Sequence, residues 1–309
     1  MKKRLGNRWG LAAVVMAGLM MSGCSALGTV ETPPAGTGEV LATTQESAEE
    51  TAAASGNRLE QIKERGYLEV ATEPYFAPNE FIDPTRQGDD KYVGADIELA
   101  RYIADSLGVE CRIVPLEFTA VLSSVTEGKY DMAISALAYT PTRAEAMELS
   151  DGYYYDADAT WYGLLVREED LDEIKSADDL GDKTVVVQSG SLQELFLQQQ
   201  VPACKEEKRV SATTDGFLMV QEEKADACIT AATTAQLFLD ANPDCGMALV
   251  DGFRFVVDET TQGTRIGMKK GETELAAEVN RIIAEVTEKG LYKEWYQEYS
   301  EYATSLGIN

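Results

Sequence analysis

The chain has 309 residues, a formal net charge of −26 and no histidine, and its length is enough for one large domain or for two lobes that each have a hydrophobic core. The hydrophobic share of 44% and the charged share of 26% are typical of a globular protein. The excess of 53 Asp+Glu over 27 Lys+Arg argues against nucleic-acid binding, and the absence of histidine excludes Ser-His-Asp catalysis, Cys-His catalysis and imidazole metal sites.

The first residues, 1–23, have the order of a bacterial lipoprotein signal peptide. A basic start over 1–8 precedes an apolar run over 9–21 that is too short to span a bilayer. The run ends in Met-Ser-Gly-Cys, which resembles a lipobox, and this resemblance implies that Cys24 is acylated and becomes the first residue of the mature chain. We therefore expect an extracytoplasmic protein that is lipid-anchored to the bacterial cell membrane through Cys24. An ordinary secretory signal that ends near Cys24 is the alternative.

Residues 24–56 consist mainly of Thr, Ala, Gly, Ser, Pro and Glu and contain almost no large apolar side chain. Such a composition cannot bury enough apolar surface to offset the entropy lost on ordering. We therefore predict a disordered tether without a binding or catalytic role.

From residue 57 onward, apolar runs of strand length alternate with amphipathic patterns of helical period. Strands are predicted over 67–72, 111–116, 131–135, 161–166, 184–188, 227–230 and 247–251. Helices are predicted over 59–65, 97–107, 120–127, 192–200, 215–223, 234–240 and 274–289. Asp96 is predicted to cap the helix that Gly108 ends. The alternation predicts an α/β protein with parallel sheets covered by helices, and two series of sheet size predict two lobes.

Ten short stretches of this body resemble, in the same order, the extracellular solute-binding proteins of family 3, the receptors of bacterial polar amino acid ABC transporters. They are 66–72 (GYLEVAT), 76–78 (FAP), 92–100 (YVGADIELA), 128–135 (GKYDMAIS), 140–144 (TPTRA), 149–151 (LSD), 179–185 (DLGDKTV), 188–191 (QSGS), 224–227 (KADA) and 266–271 (IGMKKG). A C-terminal helix that carries Trp295 follows them. The resemblance implies a type II periplasmic-binding-protein-like fold, in which two lobes, each a mostly parallel sheet flanked by helices, enclose a ligand cleft.

The resemblance also implies domain bounds and partners. Lobe 1 would consist of residues 57–157 and 261–309 and lobe 2 of residues 158–260, with crossings near 155–160 and 258–264. The implied function is that of a monomeric receptor that binds a small carboxylate-bearing solute, an amino acid or a relative of one. The receptor would deliver it to ABC permease subunits in the membrane. No catalytic residue, cofactor or metal is expected.

Arg143 is the first candidate in the cleft, in a Thr-Pro-Thr-Arg-Ala motif where Pro141 suits the first turn of a helix. In the family, the arginine of this motif binds the ligand carboxylate with its planar fork, which lysine reproduces poorly. Backbone N–H groups over 190–192 would complete the anion site at the start of a lobe 2 helix. The alternatives are a solvated surface charge for Arg143 and plain N-capping for Ser189 and Ser191.

The complete set of predicted ligand-binding residues adds aromatic walls and further cleft positions. It consists of Phe76, Phe118, Ser135, Ala136, Leu137, Arg143, Ser189, Ser191, Leu192 and Thr230. Phe76 and Phe118 stand where the family often has a ring against the ligand, and a core position is the alternative for each. One or two members of a further aromatic group are also expected to face the cleft: Tyr75, Tyr139, Tyr153, Tyr154, Tyr155 and Trp161.

Two positions depart from the amino acid binders of the family. Ala138 stands where they usually have Ser or Thr, and Thr230 or Ala231 stands where lobe 2 usually supplies an Asp to the ligand's ammonium. A desolvated ammonium without a carboxylate partner is costly. We therefore expect a carboxylate-bearing solute whose other groups meet unusual partners, with four acids as candidates to replace the missing Asp: Glu73, Glu80, Asp83 and Glu117.

Four cysteines remain when Cys24 is set aside: Cys111, Cys204, Cys228 and Cys245. An even number outside the cell permits disulfides, but no spacing indicates a metal site. The predicted strand positions of Cys111 and Cys228 favour small buried thiols. No bridge is predicted.

Two other functions are compatible with the sequence. An enzyme on the same scaffold, similar to cyclohexadienyl dehydratase, would need Glu, Asp, Lys or Tyr as its general acid or base. Three acids near the cleft, Glu73, Glu80 and Glu117, keep this function open. A sensory module that signals through a partner is the third function, and fold analogy alone does not separate the three.

Overall fold

The computed structural model of the chain describes residues 57–259 and 262–308. The predicted signal peptide, the lipidation site Cys24 and the predicted tether, all within residues 1–56, lie outside the described residues. The predicted lobe boundary at 260–261 lies outside them as well. Within the described ranges, no helix is both long and apolar enough to cross a bilayer.

The described residues form thirteen strands and nine α-helices. The strands are β1 (Tyr67–Thr72), β2 (Tyr75–Phe76), β3 (Glu80–Ile82), β4 (Tyr92–Val93), β5 (Glu110–Pro115), β6 (Met132–Ala138), β7 (Met147–Leu149), β8 (Tyr162–Arg167), β9 (Thr184–Gln188), β10 (Glu206–Val210), β11 (Ala227–Ala231), β12 (Met247–Leu249) and β13 (Thr264–Lys269). The helices are α1 (Arg58–Arg65), α2 (Ala95–Leu107), α3 (Phe118–Thr126), α4 (Pro141–Ala146), α5 (Leu192–Gln200), α6 (Thr213–Gln221), α7 (Ala232–Ala241), α8 (Thr273–Lys289) and α9 (Leu291–Leu306). Every predicted helix and strand is present, with bounds that differ by a few residues at most.

Five strands form the sheet of lobe 1 in the order β5-β1-β6-β13-β7. β13 is antiparallel to both of its neighbours, so the other four strands run in one direction. Val70, Met132 and Ile134 pack with α2, α8 and α9 on one face. Ala71 and Ala133 pack with α3 on the opposite face. Because both faces are covered, these strands are apolar at successive positions rather than alternating with polar residues.

The sheet of lobe 2 repeats this arrangement in the order β10-β9-β11-β8-β12, and β8 is antiparallel to both of its neighbours. Val185 and Val187 pack with α5 on one face. Val186 packs with α6 and α7 on the other face. Loops that follow parallel strands of such sheets lie at one edge, the edge where ligands bind in open α/β folds.

The chain crosses between the lobes twice, from β7 to β8 and from β12 to β13. The two crossing segments pair at an antiparallel bridge between Tyr154 and Thr264. Beside the crossings, Leu237 of α7 packs in a cluster with residues of β3 and α9 from lobe 1. The hydroxyl of Thr234 donates to the carbonyl oxygen of Ala77 at 3.1 Å. A helix of lobe 2 is therefore in direct contact with lobe 1.

Asp96 does not cap α2, and that prediction was wrong. The cap position is Gly94, which has no side chain to accept the first N–H groups, and Asp96 lies buried in the first turn. Its carboxylate accepts the N–H of Ala136 at 2.6 Å and the hydroxyls of Tyr153 and Tyr292 at 2.9 and 2.5 Å. These partners are distant in sequence, so a local capping pattern does not indicate them.

Several strands carry no apolar run and were not indicated by the sequence pattern. β10, with the sequence Glu-Glu-Lys-Arg-Val, is an edge strand of lobe 2, and charged side chains are common at such edges because they prevent further pairing. A small antiparallel sheet of β2, β3 and β4 was also missed because two of its strands have only two residues each. It matters for function because it follows Glu73 and contains Phe76 and Glu80.

Gly94 and Gly108 both have a positive φ, of 127° and 73°, but their surroundings differ. A Cβ at Gly94 would lie 2.2 Å from the carbonyl oxygen of Asn79, which already accepts the N–H of Asp96, whereas a Cβ at Gly108 would meet nothing within 4 Å. We predict that Gly94→Ala lowers the free energy of unfolding by about 3 kcal/mol or more and Gly108→Ala by about 1 kcal/mol. Urea unfolding measures both values, and equal losses would contradict the importance of the close backbone contact.

Candidate functional site

A cavity lies between the two lobes. Lobe 1 contributes residues from the ends of β1 and β6, from β2 and β3, and from α3 and α4. Lobe 2 contributes residues from β8, β9 and the start of α5. The lining residues are Glu73, Phe76, Glu80, Phe118, Ser135, Ala136, Ala138, Arg143, Tyr162, Gln188, Ser191, Leu192 and Gln193. Because both lobes form the cavity, a solute bound there stabilises the arrangement in which they are close together.

Arg143 is carried by α4, which begins at Pro141 and is capped by Thr140. Thr140 Oγ1 accepts the backbone N–H of Arg143 at 3.1 Å. The Arg143 side chain is buried, and its Nη1 donates to the carbonyl oxygen of Ala138 at 2.7 Å. Its Nη2 donates to the carbonyl oxygen of Gly190 at 3.0 Å. One guanidinium therefore connects lobe 1 with lobe 2 across the cavity.

The Arg143 guanidinium makes no ion pair with a carboxylate in the part of the chain that the structure describes. Burial lowers its pKa to about 10, so the group remains charged at neutral pH. The ring of Phe118 lies beside it, with 5.5 Å between Cζ and the ring centroid. A buried cation without an anion is costly. An anionic group of a solute in the cavity would supply the missing partner.

On the lobe 2 side, the cavity meets the N-terminus of the nine-residue helix α5. Ser191 caps this helix, since its Oγ accepts the N–H of Glu194 at 3.2 Å and donates to the carbonyl oxygen of Gln188 at 2.7 Å. The N–H of Gly190 donates to a carboxylate oxygen of Glu194 at 2.6 Å, so this predicted backbone donor is already used. Capping by Ser191 does not prevent binding, because the positive end of the helix dipole still faces the cavity beside Leu192.

Two buried acids, Glu73 and Glu80, line the same cavity as Arg143, with exposures of 2% and 1%. Ser135 connects them, because its Oγ accepts the backbone N–H of Glu73 at 3.0 Å and donates to Glu80 Oε1 at 2.9 Å. Glu73 Oε1 is buried and has no hydrogen-bond partner. Buried polar atoms are nearly always paired, so this oxygen is free to accept a donor from a solute. The Glu80 carboxyl, in contrast, is hydrogen-bonded to Asp96.

Burial sets the protonation of both acids. It raises the pKa of Glu73 to about 8. A hydrogen bond from Gln188 lowers this pKa, and the charge of Asp215 raises it. Burial also raises the pKa of Glu80 well above its ordinary range, with the charges of Asp96 and Glu73 as further causes. Glu73 therefore holds a proton at neutral pH unless a cation lies beside it.

The cavity is connected to the crossing segments through Asp96. Ala136, whose N–H donates to this carboxylate, has a φ of 45°, and the register between β6 and β13 shifts next to it. A non-glycine residue in this conformation costs about 1–2 kcal/mol, which the buried hydrogen bond helps to offset. Tyr153, at the start of the first crossing, and Tyr292 of α9 donate to the same carboxylate. The backbone at Ala136, beside the cavity, and the two tyrosines near the crossing segments therefore share one buried acceptor, the Asp96 carboxylate.

Seven of the ten predicted ligand-binding residues line the cavity: Phe76, Phe118, Ser135, Ala136, Arg143, Ser191 and Leu192. Leu137 is instead fully buried against α3. The backbone N–H of Ser189 donates to the carbonyl oxygen of Val210 at 2.9 Å, and Thr230 is buried with its hydroxyl directed to the carbonyl oxygen of Ala231 at 3.3 Å. These three do not line the cavity, because side-chain alternation along strands and local pairing turn them away from it. The binding roles of the other seven stay predictions.

Three lining residues were missed by the sequence analysis: Tyr162, Gln188 and Gln193. Gln188 and Gln193 flank the predicted Gly-Ser segment before α5, so extending that motif in both directions would have included them. Tyr162 follows Trp161, which was in the aromatic group expected near the cleft. The Trp161 ring instead lies 4.5 Å from the guanidinium carbon of Arg254, which leaves Tyr162 on the cavity side.

The four acids named as replacements for the missing lobe 2 Asp have different positions. Glu73 and Glu80 line the cavity of Arg143. Glu117 lines a neighbouring cavity, which Glu73 lines as well. Asp83 lines neither cavity and pairs with Arg86 at 2.8 Å. Three of the four acids therefore line one or both of these cavities.

The four cysteines of the described body, Cys111, Cys204, Cys228 and Cys245, have free thiols. Burial raises the pKa of Cys228 well above its ordinary value and that of Cys111 to about 12, which disfavours the reactive thiolate. Over residues 57–259 and 262–308, no group of side chains is arranged to hold a metal ion.

Comparison with known sequences identifies one family. The sequence model of the bacterial extracellular solute-binding proteins, family 3, matches residues 68–302. The arginine-binding extracellular protein ArtP of Bacillus subtilis is 28% identical over 215 residues, which cover 67% of this chain and 79% of that protein. The match therefore extends over both sheets and the C-terminal helices.

Solved structures agree with the sequence comparison. The amino acid ABC transporter substrate-binding protein AbpA from Streptococcus pneumoniae, bound to L-arginine, has a TM-score of 0.70 and 30% identity, covering 81% of this chain and 99% of its own. The ancestral amino acid-binding protein AncCDT-1, a precursor of cyclohexadienyl dehydratase, has a TM-score of 0.66 and 27% identity, covering 79% and 99%. The predicted two-lobed, type II α/β fold is confirmed by these likenesses.

We predict that Glu73 makes the stability of the unliganded protein fall as pH rises from about 5 to 8. Its folded-state pKa of about 8 exceeds the ordinary value of 4.5, so the folded state keeps a proton that the unfolded state has lost. The free energy of unfolding then falls by up to about 1.4 kcal/mol per pH unit in this window and levels off above it. Urea unfolding of Glu73→Gln should show a shallower decline and higher stability than the parent at pH 8.

Glu64→Gln, an exposed change on α1, is the matched control and should follow the parent curve. If Glu73→Gln and the parent gave parallel stability curves from pH 5 to 8, the raised pKa of Glu73 would be disproved.

Proposed function

The chain belongs to the bacterial extracellular solute-binding proteins, family 3, and on this premise we propose that it binds a small carboxylate-bearing solute, an amino acid or a relative of one, and delivers it to an ABC transporter permease. The observation that carries the proposal is Arg143, a buried guanidinium in the cleft between the lobes with no carboxylate partner among the described residues. Its relatives are mostly amino acid-binding proteins, which supports a receptor rather than an enzyme.

The carboxylate of the solute would bind between Arg143 and the start of α5. A guanidinium offers two parallel N–H groups to a carboxylate, and such charge-assisted bonds are about twice as strong as neutral ones. The helix N-terminus at Ser191 and Leu192 favours the same charge from lobe 2. Phe76 and Phe118 would supply apolar walls. An anion held by both lobes couples binding to closure, because the full set of contacts exists only when the lobes are together.

The ammonium of an amino acid would bind to the acids of lobe 1 in this protein. At the usual lobe 2 position, Thr230 is buried with its hydroxyl on a backbone carbonyl, and Ala231 has no acid. Glu73 Oε1 is an unpaired acceptor in the cavity that Arg143 lines, and Glu80 lines the same cavity. An ammonium beside Glu73 would replace the proton that burial keeps on this acid. Each charge of a zwitterion then meets a partner on the protein.

Membrane attachment and transport complete the proposal. Acylation of Cys24 would hold the chain at the cell membrane, and the tether over 24–56 would let the body reach the permease. Lobe 1 (57–157 and 261–309) and lobe 2 (158–260) would close about the two crossings, and the closed monomer would be the form that the permease recognises.

We predict that Arg143→Ala weakens the affinity for the bound amino acid by at least about 30-fold, or about 2 kcal/mol, because it removes the cationic partner of a buried carboxylate. Arg143→Lys should recover part of the affinity, since a point charge replaces the fork. Isothermal titration with a panel of L-amino acids, and with the methyl ester of each one that binds, measures these values.

Arg281→Ala, an exposed change on α8, is the matched control and should bind like the parent. Thermal unfolding without solute checks that the Arg143 variants are folded. A carboxylate-free solute that bound the parent and Arg143→Ala equally well would contradict the proposal.

We also predict that the affinity for an ammonium-bearing solute rises from pH 6 to 8, by at most about tenfold per unit. The ammonium needs an ionised Glu73, whose pKa of about 8 means that a proton must leave below that pH. Charged or titratable neighbours are Arg143, Glu80 and Asp215. Titration in two buffers of different ionisation enthalpy should show proton release on binding.

Glu73→Gln should remove most of the pH dependence and of the proton release. Glu145→Gln, an exposed change on α4, should leave both as in the parent. Binding by the parent without pH dependence and without proton release would show that Glu73 does not receive the cation.

A second function is favoured by one observation. Glu73 is a buried acid that stays protonated near neutral pH, and it lines the same cavity as the buried Arg143. Arg143 would bind a carboxylate substrate and Glu73 would protonate a leaving hydroxyl group. Dehydration of the cyclohexadienyl type fits that chemistry. Incubation with prephenate and with arogenate, followed by detection of the aromatic product, tests it. Turnover that Glu73→Gln abolishes would replace the receptor proposal with an enzyme.

A further inference from the structure

A second cavity, of about 570 Å³, adjoins the one that contains Arg143. It is lined by Glu73, Tyr75, Glu117, Ser211, Ala212, Thr214 and Asp215. Tyr75 and Glu117 belong to lobe 1, whereas Asp215 lies in the first turn of α6 in lobe 2. The cavity therefore forms between the lobes, like the first one.

Glu73 lines both cavities, which makes it the point where they meet. Its side chain is 2% exposed, and its Oε1 has no hydrogen-bond partner. An unpaired, buried carboxyl oxygen at this point is available to a solute that passes from one cavity to the other. Arg143 lines only the first cavity, so the two cavities differ in the charge of their lining residues.

The second cavity carries acids from both lobes and no basic residue. Asp215 in lobe 2 acts on Glu73 in lobe 1 with a like charge, which raises the pKa of Glu73. Glu117 of lobe 1 and Asp215 of lobe 2 both line this cavity, and like charges on two facing lobes oppose closure. A cation between them would turn this repulsion into attraction. Tyr75, which is 49% exposed, adds an aromatic ring to the lining of the same cavity, and aromatic rings attract cations.

We propose that this second cavity is a subsite for a distal cation, so that the solute is elongated, with a carboxylate at Arg143 and an ammonium or guanidinium between Glu117 and Asp215. The inference rests on the proposed function, because it assumes that the carboxylate binds at Arg143. It assigns the solute to the class of basic amino acids and their longer cationic relatives, and it makes Glu117 and Asp215 specificity determinants.

An organic cation fits this subsite better than a metal ion. Among the described residues, no three acids are close enough together to hold a metal, so Glu73, Glu117 and Asp215 are spread around the cavity. A guanidinium or ammonium distributes its donors over several partners and needs no compact set of ligands. The hydroxyls of Ser211 and Thr214 add neutral acceptors.

The test compares solutes that differ only in the charge of their far end. L-Arginine and L-citrulline have nearly the same shape, with a cationic guanidinium in one and a neutral ureido group in the other; L-lysine and L-norleucine form a second pair. We expect the purified protein to bind the cationic member of each pair at least about fivefold more tightly. Added salt should reduce this ratio, since Glu117 and Asp215 are exposed.

Glu117→Gln and Asp215→Asn should each weaken L-arginine binding by about twofold to fivefold, the range of an exposed ion pair, and leave L-citrulline binding unchanged. Asp215 also lies at the positive end of α6, so its loss could lower stability. The ratio of the two affinities does not depend on stability, which keeps the test valid. Asp244→Asn, an exposed change in lobe 2 outside both cavities, is the control.

The outcomes separate this inference from the proposed function. Equal affinity of the parent for both members of a pair, or equal losses for both in the variants, would overturn the subsite and leave carboxylate binding at Arg143 intact. Binding of only short or acidic amino acids would do the same. If no amino acid of the panel bound, the proposed function and the subsite would both be wrong.

Discussion

The buried guanidinium of Arg143 is the constraint on which the cleft depends. It is positively charged, nearly inaccessible to water and without an anionic partner among the described residues. Its position is set locally, because Thr140 and Pro141 start the short helix that carries it. Its second contact is remote, since Nη2 reaches the carbonyl oxygen of Gly190 in lobe 2. A buried cation without an anion is costly, so an anion bound in the cleft would stabilise the arrangement in which the lobes are together.

The acids near this cation differ in how exposed they are to solvent. Glu80 and Glu73 are buried, and burial raises the pKa of each, whereas Glu117 and Asp215 lie exposed at the outer cavity. A chain with a net charge of −26 repels free anions at long range. Anion binding therefore depends on the short-range geometry of Arg143, and the overall charge attracts solutes that also carry a cation. In the proposed function, the two effects together would favour a zwitterion or a basic amino acid over a simple carboxylate.

Much of the fold was predictable because its signals are local. The strands β1 and β9 and the helix α5 have the predicted bounds, since each apolar run is limited by glycine or by a polar cap within a few residues. The edge strand β10 was not predictable, because its charged residues form a strand only by pairing with β9. The role of Asp96 was not predictable either, because its three hydrogen-bond donors come from three distant segments.

Two α/β lobes, the family resemblance and the position of Arg143 at the start of a helix were predictable from residue order, because periodicity, turn residues and capping act over a few residues. Three features appear only in the folded chain: Glu73 and Glu80 share a cavity with Arg143, Leu137, Ser189 and Thr230 do not line it, and Asp215 acts on Glu73 from the other lobe. The reason is physical. Burial and the approach of groups from separate lobes set the charge of an acid, and neither quantity is contained in the local order of residues.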